Sequence, residues 1–496
     1  MLITEQSRYL LIPTSKSAPK TKVYLREGDS LLLDLDACVD FTAAETVFYY
    51  DLTPFMGRNL TVSHESGCTF GFSEKTPDFP IDPLRPRLHF TARQGWLNDP
   101  NGLVYYEGRW HMFFQHNPVG LPWGNMHWGH AVSGDLIHWE ERGDVLYPDE
   151  LGDMFSGSAV IDSENLLGLK NNDHDPLLLF YTAAGNDREL NAGQPFTQCL
   201  AYSTDGAKTF HKFVGNPIVP HIEASNRDPK IVRDDMSGLY IMSLYLADDR
   251  YALLTSSNLT DWTQLQTISL PGDNECPDFF PLTDSDGSRK WVLSGAHDCY
   301  MVGDFDPERG FVSDGMVRKL GFGSPYAAQT FWGADRRIRI YWNRFNAIPS
   351  RQFNCAMSIP CELTLVNGAL RINPVRELSD AWRTTEICEN LPSHGLRREI
   401  GCPCDITLSL SKSEEPVTIM LHGSAITVDT VGGSIRIGEE TMPYCAGKLR
   451  ILADNYGVEL FVGDGRIYGS FPLTAQNNLL TIGGEGSLDM LEIHEF

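Results

Sequence analysis

Ser133-Gly-Asp-Leu-Ile-His-Trp139 returns in altered form as Ser203-Thr-Asp-Gly-Ala-Lys-Thr-Phe210 and as Ser256-Ser-Asn-Leu-Thr-Asp-Trp262. Each stretch follows a hydrophobic run and ends in an aromatic residue shortly after a turn. Recurrence at intervals of 53 to 70 residues, with about four strands per unit, is typical of propeller blades. Because any β-meander reuses Asp-Gly and Asn turns, the repeat alone leaves a meander equally open.

Alternating hydrophobic residues before this region predict a small N-terminal β-domain over residues 1–80. The alternation lies at 22–25, 30–35, 46–50 and 59–63, with turn residues between the segments. Prolines at 77, 80, 83 and 86 follow. Because proline fixes φ and resists both helix and central strand, this passage predicts a stiff connector.

The repeating region itself is assigned to residues 81–370, followed by a linker over 371–386 and a β-sandwich over 387–496. Only 376–389 reads as a possible helix. The segment 449–465 contains two alternating runs around Asp454-Asn-Tyr-Gly457, which predicts a β-hairpin. Hairpins in series favour a sandwich, so the whole chain is predicted to be all-β.

Composition excludes several classes of function. The 496 residues include 40 basic and 65 acidic side chains, which gives a net charge of −25. Such a field repels nucleic-acid phosphates and anionic membrane surfaces, so neither is expected as a partner. Residues 1–20 lack a signal-peptide core, and eleven thinly spread cysteines fit no disulfide framework. We therefore expect a reduced, cytoplasmic protein.

Three carboxylates stand in rigid turns flanked by polar and aromatic residues. They are Asp99 in Gly95-Trp-Leu-Asn-Asp-Pro-Asn-Gly102, Asp228 in Asn226-Arg-Asp-Pro-Lys230, and Glu275 in Asn274-Glu-Cys-Pro-Asp-Phe-Phe280. Taken singly, each also fits an ordinary capped turn, surface ion pair or solvated loop. Together they fit acetal hydrolysis, which needs a carboxylate nucleophile and a second carboxyl group that protonates the leaving oxygen. A proline follows each acid within two residues and stiffens the chain there.

Competing chemistries lack their motifs. The sequence has no Gly-x-Ser-x-Gly elbow and no Walker loop. It also has no convincing spacing of histidines or cysteines for a metal site. We therefore expect neither a metal nor an organic cofactor.

These residues together resemble glycoside hydrolase family 32, the β-fructofuranosidases, which include invertases, exo-inulinases and levanases. The resemblance covers residues 84–496. Its three acid motifs occur in the family's order as Trp96-Leu-Asn-Asp-Pro-Asn-Gly102, Arg227-Asp-Pro229 and Glu275-Cys-Pro277. Further family strings lie between them: Phe114-Gln115, the run from Trp123 to Ser133, and Phe155-Ser-Gly-Ser158.

The resemblance implies a five-bladed β-propeller with its active site in the central funnel, followed by a C-terminal β-sandwich. It implies that Asp99 is the nucleophile, Glu275 the general acid/base and Asp228 the transition-state stabiliser. Arg227 is expected to pair with Glu275 and help to set its pKa. The residues expected to bind the fructosyl unit are Asn98, Gln115, Trp123, Phe155 and Ser156, with Tyr181 readable equally as a core residue of a blade.

The resulting hypothesis is a retaining, exo-acting β-fructofuranosidase that hydrolyses terminal fructosyl residues of sucrose, fructooligosaccharides, inulin or levan. Fructosyl transfer on the same scaffold and a catalytically silent sugar-binding module are the alternatives. The expected partner is a small sugar or oligosaccharide, together with a second copy of the chain if a terminal β-domain mediates assembly. The sequence leaves the preferred substrate, the ratio of hydrolysis to transfer, the role of the N-terminal domain and the oligomeric state open.

Overall fold

The computed structural model describes residues 1–79, 82–185, 188–345, 348–392, 395–484 and 487–496. Across these residues the helical elements are three short 3-10 segments, Glu5–Ser7, Thr53–Phe55 and Arg376–Ala381. The remaining regular structure is β-strand, which confirms the predicted all-β class. In the same described part of the chain, no helix has the length and apolar character needed to cross a membrane.

Five antiparallel sheets of about four strands each follow one another along the chain and form the blades of a propeller. Blade I contains Gly95–Tyr106, Arg109–Asn117, His127–Ser133 and Trp139–Leu146; blade II contains Asp153–Ile161, Leu177–Ala184, Thr197–Ser203 and His211–Lys212. Blade III contains Arg227–Arg233, Tyr240–Ala247, Arg250–Ser256 and Thr263–Ser269. Blade IV contains Asp278–Thr283, Arg289–Ser294, Cys299–Asp306 and Gly310–Ser313, with Arg318–Lys319 beside its third strand. Blade V contains Pro325–Thr330, Ile338–Asn343, Cys361–Val366 and Ala369–Pro374, with Ala356–Met357 beside its second strand.

The first strand of each blade is the innermost, and the five inner strands contact one another in turn around a central funnel. The ring closes between blades V and I. There Phe353–Asn354 pairs in parallel with the beginning of Gly95–Tyr106, and Trp332 forms a bridge with Val104. Closure of this kind leaves no exposed edge between the blades.

The repeated stretch of the sequence is the same turn in blades I, II and III, between the third and fourth strands. In each copy the serine hydroxyl donates to a side chain two positions later, at distances of 3.0, 2.8 and 3.1 Å to Asp135, Asp205 and Asn258. In blade I the indole of Trp139 then donates to the carbonyl of Leu136, and Trp262 makes the equivalent bond in blade III. The repeat therefore marks blades, and the propeller is confirmed over the meander.

The N-terminal residues form a module of two three-stranded sheets packed face to face around a shared apolar core. One sheet contains Thr46–Asp51, Tyr9–Thr14 and Gly71–Ser73; the other contains Ser30–Ala37, Thr21–Glu27 and Thr61–His64. Four of these strands lie on the predicted segments. Alternate residues of each strand point into the core, as the period of two requires.

The C-terminal sandwich also has two sheets, with a second apolar core between them. The first sheet contains, in spatial order, Gly321–Gly323, Ile467–Thr474, Tyr456–Val462, Lys448–Ala453, Cys404–Leu410, Ser487–Glu495 and Arg383–Pro392. The second sheet contains, in spatial order, Leu396–Glu399, Leu479–Gly483, Val417–Leu421, Ser424–Asp429, Ser434–Ile437 and Glu440–Pro443. The hairpin predicted at 449–465 is confirmed by the pairing of Lys448–Ala453 with Tyr456–Val462.

The helix predicted over 376–389 is wrong for most of its length. Only Arg376–Ala381 is helical, and Arg383–Pro392 is a strand paired with Ser487–Glu495. The strand sequence contains two threonines and an isoleucine, which favour sheet over helix. Its partner lies about a hundred residues away in the chain, so the local pattern cannot reveal the pairing. The segment predicted as a linker, 371–386, also contains the end of the last propeller strand, Ala369–Pro374.

Candidate active site

The three predicted acids meet at one end of the central funnel. Asp99 lies near the start of the inner strand of blade I, Asp228 is the second residue of the inner strand of blade III, and Glu275 precedes the inner strand of blade IV. The inner strands surround the funnel, so their beginnings face the same small pocket. Its lining residues are Asp99, Pro100, Ser156, Gly157, Asp228, Cys276, Pro277, Ala327, Ala328 and Gln329.

β-Bulges interrupt the inner strands where the site residues occur. The register shifts between Leu97 and Pro100 in blade I and between Arg227 and Lys230 in blade III, so that Asp99 and Asp228 lie within the irregular segments. Blades II and V have corresponding shifts beside Ser156 and Ala327. A bulge re-aims a side chain that regular pleating would direct elsewhere. The prolines after Asp99 and Asp228 favour these irregularities because they cannot donate a ladder hydrogen bond.

The backbone is held in the left-handed region at Asp228, Glu275 and Cys276. The φ angles of Asp228, Glu275 and Cys276 are +66°, +54° and +37°. Non-glycine residues adopt this region at a cost of about 1 to 3 kcal/mol each, and they persist there only when the surrounding structure holds them. The proline after Asp228 and the proline after Cys276 restrict the chain at the same points. Asp228 and Glu275 are therefore fixed in place rather than carried on adaptable loops.

Cys276 connects two of the acids. Its backbone N–H donates to Asp228 Oδ2 at 3.0 Å, and its thiol lies 3.4 Å from that oxygen and 3.6 Å from Asp99 Oδ2. The hydroxyl of Ser156 donates to Asp99 Oδ2 at 2.6 Å. On the other side, the backbone N–H of Asp228 donates to Thr182 Oγ1 at 3.0 Å. The donors around each carboxylate fix its orientation toward the pocket.

Glu275 is held by a cation and a phenol. Arg227 Nη2 donates to Glu275 Oε1 at 2.5 Å, which confirms the predicted pair. The hydroxyl of Tyr326 donates to Glu275 Oε2, and the guanidinium of Arg227 lies 4.6 Å from the ring centre of Tyr245. Both carboxylate oxygens therefore have a fixed donor.

Burial and the repulsion of neighbouring carboxylates raise the pKa values of Asp99 and Asp228. Burial raises the pKa of Asp99, and the hydrogen bond from Ser156 opposes this shift. Burial raises the pKa of Asp228 to about 7, with a further contribution from the charges of Glu275 and Asp99 and opposition from Arg227. Carboxyl groups that change charge near neutral pH are typical of sites for acid–base and nucleophilic chemistry.

The predicted sugar-binding residues fall into two groups. Asn98 and Gln115 are buried, and Asn98 Oδ1 accepts a hydrogen bond from the Trp96 indole at 2.9 Å. Neither amide atom of Gln115 has a hydrogen-bond partner among the described residues. Because an unsatisfied buried amide is costly, a ligand hydroxyl or water is expected there.

The aromatic pair stands at the surface. Trp123 is 56% exposed, and its ring meets Phe155 edge to face at 5.9 Å. Phe155 directly precedes Ser156, the donor to Asp99. Such rings suit the apolar face of a sugar. The pair is called the aromatic wall below.

The structure does not place Tyr181 with the other candidates. Its ring is fully buried in the core between blades I and II, edge to face with Trp128 and near the ammonium of Lys212. It lies on the second strand of blade II, opposite Gly157. The side-chain alternation of that strand directs it into the core instead, so its assignment as a substrate-binding residue is corrected to a core residue.

Sequence reasoning missed two contributors to the site. Cys276 lies inside the quoted acid motif, but only the fold shows that its thiol lies between Asp99 and Asp228. Tyr326 directly precedes the bulge in the inner strand of blade V, the position that Arg227 occupies in blade III. Aligning the starts of the blades would have marked Tyr326 as a candidate.

Comparison with known proteins agrees with this geometry. The family model described as the glycosyl hydrolases family 32 N-terminal domain matches residues 89–374, which include all three acids. The chain belongs to glycoside hydrolase family 32. The family assignment made from the motifs is confirmed, and the chain is a glycoside hydrolase.

Relatives within family 32 extend the match over most of the chain. A levanase of Bacillus subtilis is 33% identical over 467 residues, covering 80% of this chain and 68% of the levanase. An invertase of Schizosaccharomyces pombe is 33% identical over 430 residues, covering 80% of this chain and 71% of the invertase. The crystal structure of an exo-inulinase from Aspergillus awamori superposes with a TM-score of 0.74 at 25% identity, covering 84% of this chain and 98% of that one.

Metal-binding geometry is absent from the described residues, in which no three histidine, cysteine or acidic side chains are grouped to hold an ion.

Proposed function

We propose that this family 32 enzyme is a retaining, exo-acting β-fructofuranosidase that releases terminal fructosyl units from sucrose, fructooligosaccharides or fructans. The observation that carries the proposal is the convergence of the three acids at the end of the funnel: Asp99 and Asp228 line one pocket, and Arg227 pairs with both Asp228 and Glu275 beside it. The names of the relatives, which include a levanase, an invertase and exo-inulinases, support the substrate class.

In the first step, the carboxylate of Asp99 attacks the anomeric carbon of the fructosyl unit and forms a covalent ester. The bond to the leaving sugar breaks, and Glu275 donates its proton to the leaving oxygen. In the second step, the ionised Glu275 accepts a proton from water as the water oxygen attacks the same carbon. Fructose is released, and both carboxyl groups return to their starting states.

Asp228 acts on the state between these steps. The fructosyl carbon and ring oxygen develop positive charge as the leaving bond breaks, and a fixed carboxylate facing them lowers the energy of that state. The hydrogen bond from the Cys276 backbone holds the carboxylate in place. Because the group is already oriented, no reorganisation is needed during the reaction.

Exo action follows from the shape of the site. The pocket is small and is enclosed by residues of the inner strands of all five blades, or residues that directly precede them. Such a space leaves no passage for a polymer through the funnel, so the rest of a bound chain would extend past the aromatic wall toward solvent. Only a chain end can enter.

The test is incubation with sucrose, kestose, inulin and levan, with separation of the products and Asp99→Ala as the matched control. The proposal expects fructose from at least one of these substrates and none from the variant. Larger fructosides formed from sucrose would instead indicate transfer. Fructose release by Asp99→Ala at the wild-type rate would refute the assignment of the nucleophile.

We also propose a cytoplasmic location. All eleven cysteines are described, and each is a free thiol, which suits a reducing compartment. Fractionation of the source cells with a fructosidase assay tests this, and activity confined to the medium would contradict it.

A further inference from the structure

The loop that carries Trp123 is packed into the N-terminal module. Val119, in the segment between the second and third strands of blade I, is fully buried within the apolar core of the module, and Leu121 packs against that core. The loop is thus shared between two domains. Its position depends on the module as much as on the propeller.

A buried amide fixes the other end of the same loop. Asn125 is 2% exposed and has a left-handed φ of +48°. Its Nδ2 donates to the carbonyl of Asp36 at 2.8 Å and to Asn117 Oδ1 at 2.9 Å, and its Oδ1 accepts from the backbone N–H of Asp36 at 2.9 Å. The amide therefore joins a module strand to blade I as a sheet partner would.

Arg188 extends this connection to blade II. It is 5% exposed, and its guanidinium donates to the carbonyl of Asp34 at 2.6 Å and to Asn125 Oδ1 at 3.1 Å. It also forms an ion pair with Asp153 at 3.0 Å. A buried, charge-assisted network of this kind is rigid when its members are satisfied.

The network ends on the two backbones that carry the aromatic wall. Asn125 follows Trp123 by two residues, and Asp153 precedes Phe155 by two residues. Trp123 itself is more than half exposed. Apart from the edge-to-face contact of its ring with Phe155, its position depends on the base of its loop.

We propose that the N-terminal module is a positioning element that holds the aromatic wall over the mouth of the pocket, with Asn125 as the positioning residue. This inference rests on the proposed function. The wall contacts bound sugar in the ground state and in the transition state alike, so its displacement weakens both equally. Such a loss raises KM and leaves kcat nearly unchanged.

The experiment measures kcat and KM on kestose for Asn125→Ala, Trp123→Ala and the double variant. Thr46→Val is the matched control, because it removes another hydrogen bond between module and propeller, from Thr46 to the carbonyl of Arg351 at 2.9 Å. We expect Asn125→Ala to raise KM about fivefold with kcat within about twofold of wild type. In the Trp123→Ala background the same change should have no further effect, and Thr46→Val should leave both constants unchanged.

If Asn125→Ala does not fold, as judged by its melting curve, Val119→Ala replaces it with the same expectations. An equal rise in KM with and without Trp123 would overturn the inference, since the residue would not act through the wall. A fall in kcat at constant KM, or the same effect from Thr46→Val, would also overturn it. Failure of the wild type to release fructose would refute the proposed function instead, and the inference with it.

Discussion

Replacement of Asp228 with asparagine is expected to stabilise the protein at pH 8 while it removes activity. Asp228 is 6% exposed, and burial, reinforced by the charges of Glu275 and Asp99, raises its pKa from 3.8 to about 7. Asparagine has nearly the same shape and keeps an acceptor for the Cys276 N–H. It carries no charge and so avoids the cost of burying one.

The size of the effect follows from the pKa. The folded protein binds this proton more tightly than the unfolded chain does. The stability that this tighter proton binding provides is fully present below the ordinary aspartate pKa of 3.8. It is lost as the pH rises from there through about 7, the pKa of Asp228 in the folded protein. A shift of about three pKa units corresponds to about 4 kcal/mol of unfolding free energy. The unfolding free energies of the variant and the wild type should thus be similar near pH 4, and that of the variant should be higher by up to about 4 kcal/mol at pH 8.

Melting curves at both pH values, at one scan rate, measure this difference. The variant should melt several degrees above wild type at pH 8 and close to it near pH 4. Its kcat on kestose should fall about a hundredfold or more, because the transition state loses a facing charge. The exposed Asp235 provides a control, and Asp235→Asn should change neither curve. A variant that is less stable than wild type at pH 8, or equally shifted at both pH values, would refute the reasoning.

Three further predictions concern the mechanism and the module. Glu275→Ala should lose most turnover of sucrose but retain much more on an activated aryl fructoside, whose leaving group needs little protonation; equal loss on both substrates would show that Glu275 is not the acid. Asp99→Ala should be inactive on both. Proton NMR of the first product should show retained anomeric configuration, and inversion would exclude the covalent intermediate. Deletion of residues 1–80 should expose the apolar side chains of Val119 and Leu121, and it should lower the solubility or stability of the protein or change its oligomer size. If light scattering and melting curves show the same size and stability as for the full chain, the module is passive.

The acids were predictable from the sequence because each lies in a short, rigid motif whose chemistry is local. The pairing of Arg227 with Glu275 was predictable from the family resemblance. The thiol of Cys276 between two carboxylates and the Tyr326 donor were not predicted. They depend on how separate blades come together around the funnel.

The two wrong assignments, of Tyr181 and of the segment Arg383–Pro392, also concern features that the local sequence does not determine. Tyr181 occupies a strand on which one register directs side chains to the site and the next directs them to the core, and sequence alone does not fix that register. The segment Arg383–Pro392 is a strand because of a partner near the end of the chain. The repeated turns, by contrast, were recognisable because each is stabilised by hydrogen bonds within a few residues.

Time-resolved chromatography of inulin and levan digests tests the central claim most directly. Exo action requires that only a chain end reach the acids at the end of the funnel, so fructose should be the first product, with no early accumulation of intermediate oligosaccharides. The parent polymer should shorten gradually from its ends. Early release of trimers and tetramers would contradict the account, because it would require an open cleft, and early difructose anhydrides would show transfer in place of hydrolysis.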